Sequence, residues 1–414
     1  MLRSIITTFF ILFTTFAFPA SVTAADLDEG VLTLARVIEL AAAKSPDVRF
    51  SITRVAEGEA RLAGAQARTR ENPKMDLATG PRNGPESSVD VEVGLEIPFE
   101  LGGRREKRIA VAQAGVQREM QAAEDVRRRA VAAAVGAYYR ILHAGERLRF
   151  ARDRKTLADE LVRIARERHL AGDAARFEVN LAQTEVARAE NDVSSAQGRI
   201  ALARTALAQT LGLSSGAELR IVGDIKERGF FDTIRSAPVP RERADLLAAL
   251  ADVEVSRAAV LLAEAERLPD LAFRLSYKRE GNDNIAIGGI TVSLPFLNPS
   301  QGPVQQARIQ NQRAQIVAEV RKAAITAEIE GARRAYDTAV ESVRRTEAEG
   351  LPLQQENVSL ATESYRAGKI NLSTLLQVRR DALDTRREYL ERLLEAAETG
   401  VELASASGRW SKAN

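Results

Sequence analysis

The sequence contains no cysteine, only two histidines and only one tryptophan among its 414 residues. Without cysteine there is no disulfide scaffold, no thiolate metal ligand and no cysteine that could carry a lipid anchor. His143 and His169 lie far apart in the chain, and neither has a cluster of ligand-type residues near it. Because zinc and copper sites need several converging ligands, we expect no bound metal and no cofactor.

Beyond its N-terminus the sequence also lacks any apolar run of about 18 residues, the length a membrane-spanning helix needs. The N-terminus itself has Arg3, an apolar stretch over 5–18 and small residues up to Ala24. This pattern predicts a secretory signal peptide over residues 1–24. A mature chain without an apolar helix enters a membrane only as a β-barrel or on the membrane surface.

The charges are numerous but balanced, with 59 Lys and Arg against 57 Asp and Glu. Such a balance argues against nucleic acid as a partner. The sequence has no nucleophile motif, phosphate-binding loop or dinucleotide fingerprint, so it predicts no enzyme. The run Arg127-Arg128-Arg129 has acidic neighbours and predicts a solvated helix face.

Three pairs of segments recur at a spacing of about 196 residues, since 269 minus 73 is 196. They predict two tandem repeats, each with helices, two strands and a long helical hairpin. The paired segments are Asn72-Pro73 with Leu268-Pro269, Ile97-Pro98-Phe99 with Leu294-Pro295-Phe296, and residues 168–172 with 364–368. The predicted domains are repeats at 25–211 and 242–408, a linker at 212–241 and a tail at 409–414.

Each repeat has two segments in which apolar and polar residues alternate, as in amphipathic strands. These predicted strands span about 74–80, 89–97, 271–279 and 285–294. In the last strand the apolar phase shifts at Gly288-Gly289, which predicts a β-bulge. The strands are long enough to cross a bilayer, but four cannot close a barrel, so several chains would have to share one. Two amphipathic hairpins on a soluble core would give the same alternation.

The remaining segments predict long helices with heptad seams that are rich in alanine. In the first repeat, apolar residues recur every seven positions from Ile109 to Ala165 and again from Val179 to Leu207. In the second repeat, Leu376, Leu383 and Leu390 continue this pattern. Pro352 should kink or interrupt the third long helix. Gly172 and Gly368 each mark the tip of a helical hairpin.

The segments IPFELGGRREKRI (97–109) and LPFLNPSQGPVQQARI (294–309) and the tip motifs RHLAGDAARFEV and SYRAGKINLSTLL resemble the TolC family of outer-membrane efflux proteins. The resemblance covers essentially the whole mature chain, and the FELGGRR phrasing is most similar to the CzcC-type heavy-metal branch. It implies a mostly α fold with a small β part and a homotrimer in the outer membrane of a Gram-negative bacterium. Each chain would add four strands to one barrel, and its helices would extend into the periplasm.

The resemblance also implies roles for particular residues. The barrel lumen would receive the charged side chains Asp90, Glu92, Glu96, Arg274 and Lys278, while alternate apolar residues face outer-membrane lipid. The turn from strand to helix would use Pro98, Gly102, Gly103 and Pro295. The tips would contact a periplasmic adaptor through Gly172, Asp173, Arg176, Phe177, Gly368, Lys369, Asn371 and Leu372.

In the same family the tips close the channel, and an RND-type inner-membrane pump acts through the adaptor. Gate candidates in this sequence are Asp173, Glu178, Thr374 and Gln377. Thr374 and Gln377 occupy positions where many relatives have carboxylates. This departure argues against an acidic gate formed by the second repeat. The expected function is a passive exit duct for heavy-metal cations. Export of drugs or secreted proteins is the alternative cargo, and a soluble periplasmic coiled-coil scaffold or adaptor is the alternative class.

Overall fold

The computed structural model describes residues 31–82, 88–213, 219–227, 229–236, 242–293 and 300–410. The predicted signal peptide, Pro295 and most of the predicted tail lie outside these residues. The protein is mostly helical with a small sheet part, as the sequence predicts. Its helices are α1 (Leu34–Lys44), α2 (Pro46–Ala65), α3 (Arg104–Leu170), α4 (Arg176–Leu211), α5 (Gly229–Ser236), α6 (Ala244–Ala265), α7 (Gln301–Arg345), α8 (Leu351–Arg366) and α9 (Leu372–Ala406).

Six strands form two separate sheets within the described residues. They are β1 (Val31–Leu32), β2 (Lys74–Arg82), β3 (Ser88–Phe99), β4 (Arg220–Ile221), β5 (Leu271–Glu280) and β6 (Asp283–Val292). The two short strands β1 and β4 pair in parallel, and the other four form an antiparallel sheet in the order β2-β3-β5-β6. This order leaves β2 and β6 at the open edges of the sheet.

Helix α3 contains 67 residues without interruption, which corresponds to a length of about 100 Å at 1.5 Å per residue. The predicted alanine seams are buried, because alanine lets the neighbouring helix approach closely. The buried seam residues are Ala130, Ala137, Ala144, Ala151, Ala158 and Ala165 on α3 and Ala182, Ala189 and Ala196 on α4. Among the described residues no helix has the length and apolarity that a membrane crossing requires.

The interruption predicted at Pro352 is confirmed. Helix α7 ends at Arg345, a π-helical segment follows over Thr346–Gly350, and α8 begins with Pro352 at its second position. Proline is tolerated there because its missing N–H belongs to the first turn.

The main hydrophobic core lies where α3, α4, α7 and α9 meet α1 and α5. Phe231 of α5 is at its centre and packs against Tyr139 and Tyr336, with ring centres 5.3 and 6.2 Å apart. Gly400 of α9 faces this ring closely enough that a Cβ would lie 2.6 Å from it. The short helix of the predicted linker is therefore part of the core.

Arg128 is buried, with 5% of its surface exposed, so the expectation of a solvated face is wrong for this residue. Its guanidinium donates to the carbonyl and hydroxyl of Ser405 at 2.8 and 2.7 Å and pairs with Asp125 at 2.7 Å. These bonds tie α3 to the end of α9. Asp125, an acidic neighbour of the run, thus offsets the free-energy cost of burying the Arg128 guanidinium.

A second buried charge cluster joins α6 to α7 and α9. Arg243 donates to Asp245 at 2.7 Å, to Glu328 at 2.6 Å and to the carbonyl of Ala406 at 3.0 Å, and Arg321 also bonds Asp245. Burial alone would raise the pKa of Asp245, but the bonds and charges of Arg243 and Arg321 outweigh it and lower the pKa to about 2. The cluster therefore stabilises the fold as long as the carboxylate is ionised.

We expect Asp245→Asn to lower the free energy of unfolding by at least about 2 kcal/mol at pH 7, because one pKa unit corresponds to about 1.4 kcal/mol and the change leaves buried Arg243 short of a partner. The pKa of Asp245 is lower in the folded chain than its ordinary value of 3.8. Its contribution is therefore complete above about pH 4 and falls as the pH approaches 2. Guanidinium unfolding followed by circular dichroism should show that the difference in free energy of unfolding between variant and wild type becomes smaller as the pH falls from 4 to 2.

The matched control is Asp252→Asn on the same helix, since Asp252 is half exposed and contacts Arg118 at 3.4 Å. It should change stability by less than about 0.5 kcal/mol. Equal effects of the two substitutions at pH 7 would show that the buried cluster has no special role.

Candidate functional site

The four-stranded sheet separates charged from apolar side chains onto opposite faces. On its charged face, Glu92 lies directly opposite Lys278, and Glu96 lies opposite Arg274. Arg82 bonds Asp90 at 3.1 Å and Glu280 at 2.7 Å, and Lys278 also pairs with Glu280. All five predicted lumen residues therefore share this face, and opposite charges alternate across its strands.

The apolar face of the same sheet is uncovered in the single chain. Its residues are Met75, Leu77, Val89, Val91, Val93, Leu95, Ile97, Phe99, Leu271, Phe273, Leu275, Tyr277, Ile290 and Val292. Phe99 and Phe273 contact edge to face at 6.4 Å. An exposed apolar surface of this extent marks contact with a membrane or with another protein.

The prediction of a β-bulge at Gly288-Gly289 is wrong. β5 and β6 pair without a break from Leu271 opposite Val292 to Glu280 opposite Asp283. The shift in apolar phase instead places Ile285 and Ile287 on the charged face, opposite Lys278 and Ser276. The apolar side chains change from one face of β6 to the other at these two glycines, while the pairing register with β5 stays the same.

The turn from β3 into α3 is made by two consecutive glycines with left-handed backbones, Gly102 at φ 68° and Gly103 at φ 66°. Such φ values favour glycine because a Cβ would clash with the backbone. The strand ends at Phe99, one residue after Pro98. The ladder with β2 ends earlier, at Glu96, whereas the ladder with β5 continues through Pro98 to Phe99.

Three arginines after the glycines hold the ends of two other helices, a role that the sequence does not reveal. Arg104 donates to the carbonyl of Ala265 at 3.1 Å and bonds Leu268 and Asp270, all at the end of α6. Arg105 donates to Gln66 at 2.8 Å and Arg108 to Ala65 at 3.2 Å, at the end of α2. Cations there satisfy unpaired carbonyls and the negative end of the helix dipole. The ends of α2 and α6, which lead into the two β-hairpins, are thereby both bound to the first turns of α3.

We expect Gly102→Ala and Gly115→Ala to have opposite effects on stability. Alanine at 102 must adopt the left-handed backbone, at about 1–2 kcal/mol, and its Cβ would overlap the side chain of Leu268. Gly115 is inside α3 with no other group within 4 Å of a Cβ, so alanine should stabilise by up to about 1 kcal/mol. Guanidinium unfolding of both variants measures the difference, and equal signs would contradict this account of the hinge.

The two hairpin tips have the same backbone turn. In the first tip (residues 168–178) Gly172 N donates to His169 O at 3.1 Å and Asp173 N donates to Arg168 O at 2.8 Å. In the second tip (residues 364–377) Gly368 N donates to Tyr365 O at 3.1 Å and Lys369 N donates to Ser364 O at 2.8 Å. Both glycines have positive φ, at 83° and 71°. Each tip therefore closes its first helix with a Schellman motif.

The two tips pack together around Tyr365, which is fully buried. Its hydroxyl donates to Glu178 at 3.1 Å, and Arg168 lies over its ring at 4.6 Å from the ring centre. Burial and the nearby carboxylate of Glu178 raise the pKa of Tyr365, so the phenol stays a donor. Glu178, one of the gate candidates, is thus a partner of the second tip.

The other candidate residues of the tips differ in exposure. Asp173, Arg176, Phe177, Gly368, Lys369, Asn371, Thr374 and Gln377 are exposed, as is Gly172. Leu372, in contrast, is 1% exposed and belongs to the tip core, so the expected contact with a partner does not extend to its side chain. Asn371 caps α9 by accepting from Thr374 N at 2.9 Å, and Gln377 donates to Asp381 at 2.9 Å. Leu170, which the sequence did not single out, is 86% exposed, and Phe177 is 64% exposed.

The family profile "Outer membrane efflux protein" matches residues 37–213 and again residues 240–409, which together make up most of the chain. The chain belongs to the outer membrane efflux protein family. As a member, it is an efflux channel of the Gram-negative outer membrane that extends into the periplasm. The resemblance to the TolC family is confirmed.

Individual relatives of this outer membrane efflux protein include two resistance proteins. It is 26% identical to the cobalt-zinc-cadmium resistance protein CzcC of Cupriavidus metallidurans over 92% of this chain and 91% of that protein. It is 29% identical to the nickel-cobalt-cadmium resistance protein NccC of Alcaligenes xylosoxydans xylosoxydans over 60% of this chain and 58% of that one. A solved membrane protein from Pseudomonas aeruginosa has the same fold, with a TM-score of 0.77 at 19% identity, covering 91% of this chain and 92% of the other.

Neither histidine of this outer membrane efflux protein is arranged as a metal ligand. His143 is largely buried beside Glu391 at 3.5 Å, and burial lowers its pKa more than Glu391 raises it. His169 bonds the carbonyl of Ala174 through Nδ1 at 2.8 Å, within the first tip. In the described part of the chain no three His, Cys, Asp or Glu residues are grouped closely enough to hold a metal ion.

Proposed function

We propose that the protein is the trimeric exit duct of a tripartite efflux system that expels heavy-metal cations. The observation that carries the proposal is the sheet with one charged and one uncovered apolar face, which turns through Gly102-Gly103 directly into a helix of 67 residues. Three copies of four strands would give twelve strands, enough to close a barrel with a water-filled interior. The apolar face would then contact lipid and the charged face would line the lumen.

The proposed division into two repeats, 25–211 and 242–408 joined by a linker at 212–241, is supported by two features. The family profile matches once in each half, and the hydrogen bonds of the two tips correspond residue by residue. The partners proposed for this duct are a periplasmic adaptor at the tips and, through it, an RND-type pump. Its work is passive conduction, with no chemical step and no cofactor.

The proposed adaptor contact uses the exposed parts of the tips, with Leu170 and Phe177 as apolar anchors and Arg176, Asp173 and Lys369 as polar neighbours. Buried Leu372 supports the turn from inside. In a trimer each gate candidate would be present three times, so Asp173 and Glu178 would each form a ring of like charge. The bond from Tyr365 would hold Glu178 in place, whereas Thr374 and Gln377 would add a neutral ring.

Heavy-metal cargo is proposed from the names of the relatives CzcC and NccC. We expect deletion of the gene to sensitise cells to zinc, cobalt, nickel or cadmium, and not to a panel of drugs and detergents. The intact gene should restore growth. Sensitivity restricted to drugs would overturn the metal cargo, and release of the protein with the soluble periplasm would overturn the membrane duct itself.

A further inference from the structure

A cavity of about 460 Å³ lies between the second half of α3, the first half of α8 and the first half of α9. This volume is in the range of sites that bind small molecules, which are mostly apolar with a few placed polar groups. The cavity is distant in sequence from the four-stranded sheet and adjoins the second tip, since Leu376 lines the cavity and also packs against the tip core. No part of the proposed duct function uses it.

The cavity adjoins the irregular part of the third long helix. The π-helical segment Thr346–Gly350 immediately precedes α8, and a π turn holds one residue more than an α turn, which rotates the following helix face. Leu376 and Leu383 were predicted to form a continuous heptad seam. Both residues also line the cavity from α9, while Leu351 and Val358 line it from α8.

The cavity wall is chiefly apolar. Besides the four leucine and valine positions of α8 and α9, it is formed by Phe150, Leu157, Ala158, Leu161, Tyr389 and Leu390. Apolar groups that border a void lose the dispersion contacts that a packed neighbour would supply. A ligand with an apolar body would restore these contacts.

The cavity wall contains more cationic than anionic side chains. The cations are Arg154, Arg379, Arg380, Arg386 and Lys226, and the anions are Glu146, Asp153 and Glu185. Glu185 is shared by Arg154 at 3.5 Å, Arg380 at 3.9 Å and Arg188 at 2.7 Å. Asp153 pairs with Arg386 at 3.7 Å. Five cations and three anions thus line the wall, and Arg154 pairs in addition with Asp192, which does not line the cavity.

Arg379 is a cation of this wall that forms no ion pair with a carboxylate among the described residues. Its Nη1 donates to the carbonyl of Leu157 at 3.2 Å, but its buried Nε has no hydrogen-bond partner among the described residues. Burial lowers the pKa of Arg379, and the carboxylate of Glu160 raises it only in part. A buried guanidinium without a carboxylate partner costs free energy, and an anionic head group beside Arg379 would lower that cost.

We propose that this cavity binds a small amphiphile with one apolar chain and a carboxylate head group, which Arg379 recognises. The chain lies along Phe150, Leu157 and Leu383, and the head group accepts from the Arg379 guanidinium. Binding at this position bridges α3, α8 and α9 next to the π-helical segment. The inference concerns a ligand of the helical wall and does not depend on which cargo the duct conducts.

The test is calorimetric titration of the full-length protein, in nanodiscs of uncharged lipid at pH 7.5, with decanoate and with decyltrimethylammonium. Heat from empty nanodiscs is subtracted. We expect one decanoate per chain and at least about tenfold weaker binding of the cation. Arg379→Gln should weaken decanoate about tenfold, in line with the loss of a hydrogen bond to a charged group.

Two further variants fill the cavity from opposite helices, Leu383→Trp from α9 and Val358→Trp from α8, and either should abolish decanoate binding. The matched charge control is Arg334→Gln, since Arg334 is exposed on α7 and distant from the cavity; it should leave binding unchanged. Equal binding of both amphiphiles, or decanoate binding that survives both tryptophan variants, would overturn the proposal. So would a failure of the wild type to bind decanoate.

Discussion

Leu275→Arg is expected to abolish insertion of the protein into the outer membrane, whereas Ser276→Arg is expected to leave insertion intact. The two residues are neighbours on β5 but project to opposite faces of the sheet. Leu275 lies opposite Leu95 and Gly288 on the apolar face, and Ser276 lies opposite Gly94 and Ile287 on the charged face. The same new charge therefore meets lipid in one variant and the lumen in the other.

The expected difference is large because an arginine on the lipid side near the bilayer centre costs about 2–4 kcal/mol. Three copies in a trimer would raise the total to about 6–12 kcal/mol, enough to prevent assembly. The measurement is fractionation of the outer membrane followed by detection of the folded trimer. Metal resistance of cells with only the variant gene gives a second measurement.

Equal insertion of both variants would show that the apolar face does not contact lipid. Failure of Ser276→Arg alone would show that the assignment of the two faces is reversed. In either case the apolar residues would need another partner, such as a soluble domain.

Tyr365→Ala is expected to unfold the two tips locally while the rest of the helices stays folded. Removing a large buried aromatic side chain costs about 3–5 kcal/mol. The tip core is a separate cluster of few residues, which include Leu161, Leu372 and Leu375, so it has little stability to spare. Hydrogen exchange near the tips should accelerate about a hundredfold or more, and binding of the adaptor should be lost with it.

Two control variants separate the parts of this effect. Tyr365→Phe keeps the ring under Arg168 and loses only the hydrogen bond to Glu178. We therefore expect it to lower the stability of the tips by about 1 kcal/mol. Leu360→Ala removes an exposed side chain of the same helix and should change exchange little. Acceleration spread evenly over α3 and α9 would contradict the view that the tip is an independent unit.

The features that follow from local periodicity could be predicted from the sequence. The length of α3, the alanine seams, the interruption at Pro352 and the alternating faces of β3 and β5 depend on residues close together in the chain. Glycine at 102, 172 and 368 indicates turns because few other residues adopt a left-handed backbone. These features are enough to place the charged face and the tips.

What the sequence does not reveal depends on partners that are distant in the chain. A shift of apolar phase is compatible both with a bulge and with a straight strand whose side chains change face, and only pairing with β5 decides between them. Arg104, Arg105, Arg108 and Arg128 look like surface charges until the carbonyls that they bind, some more than 100 residues away, are known. The burial of Leu372 likewise depends on contact between two hairpins.

In the proposed duct, the sheet edges of three chains join into one barrel. Because the chain has no native cysteine, introduced pairs report on this directly. We would combine Leu77→Cys on edge strand β2 with Ala286→Cys, Gly288→Cys or Ile290→Cys on edge strand β6. Within one chain these strands are three spacings apart, about 14 Å, too far for a disulfide, which needs Cα atoms within about 7 Å.

After oxidation in isolated outer membranes, we expect at least one pair to yield disulfide-linked dimers and closed trimers on a non-reducing denaturing gel. The corresponding single-cysteine variants should give no closed trimer. Monomers from all three pairs would contradict the shared barrel.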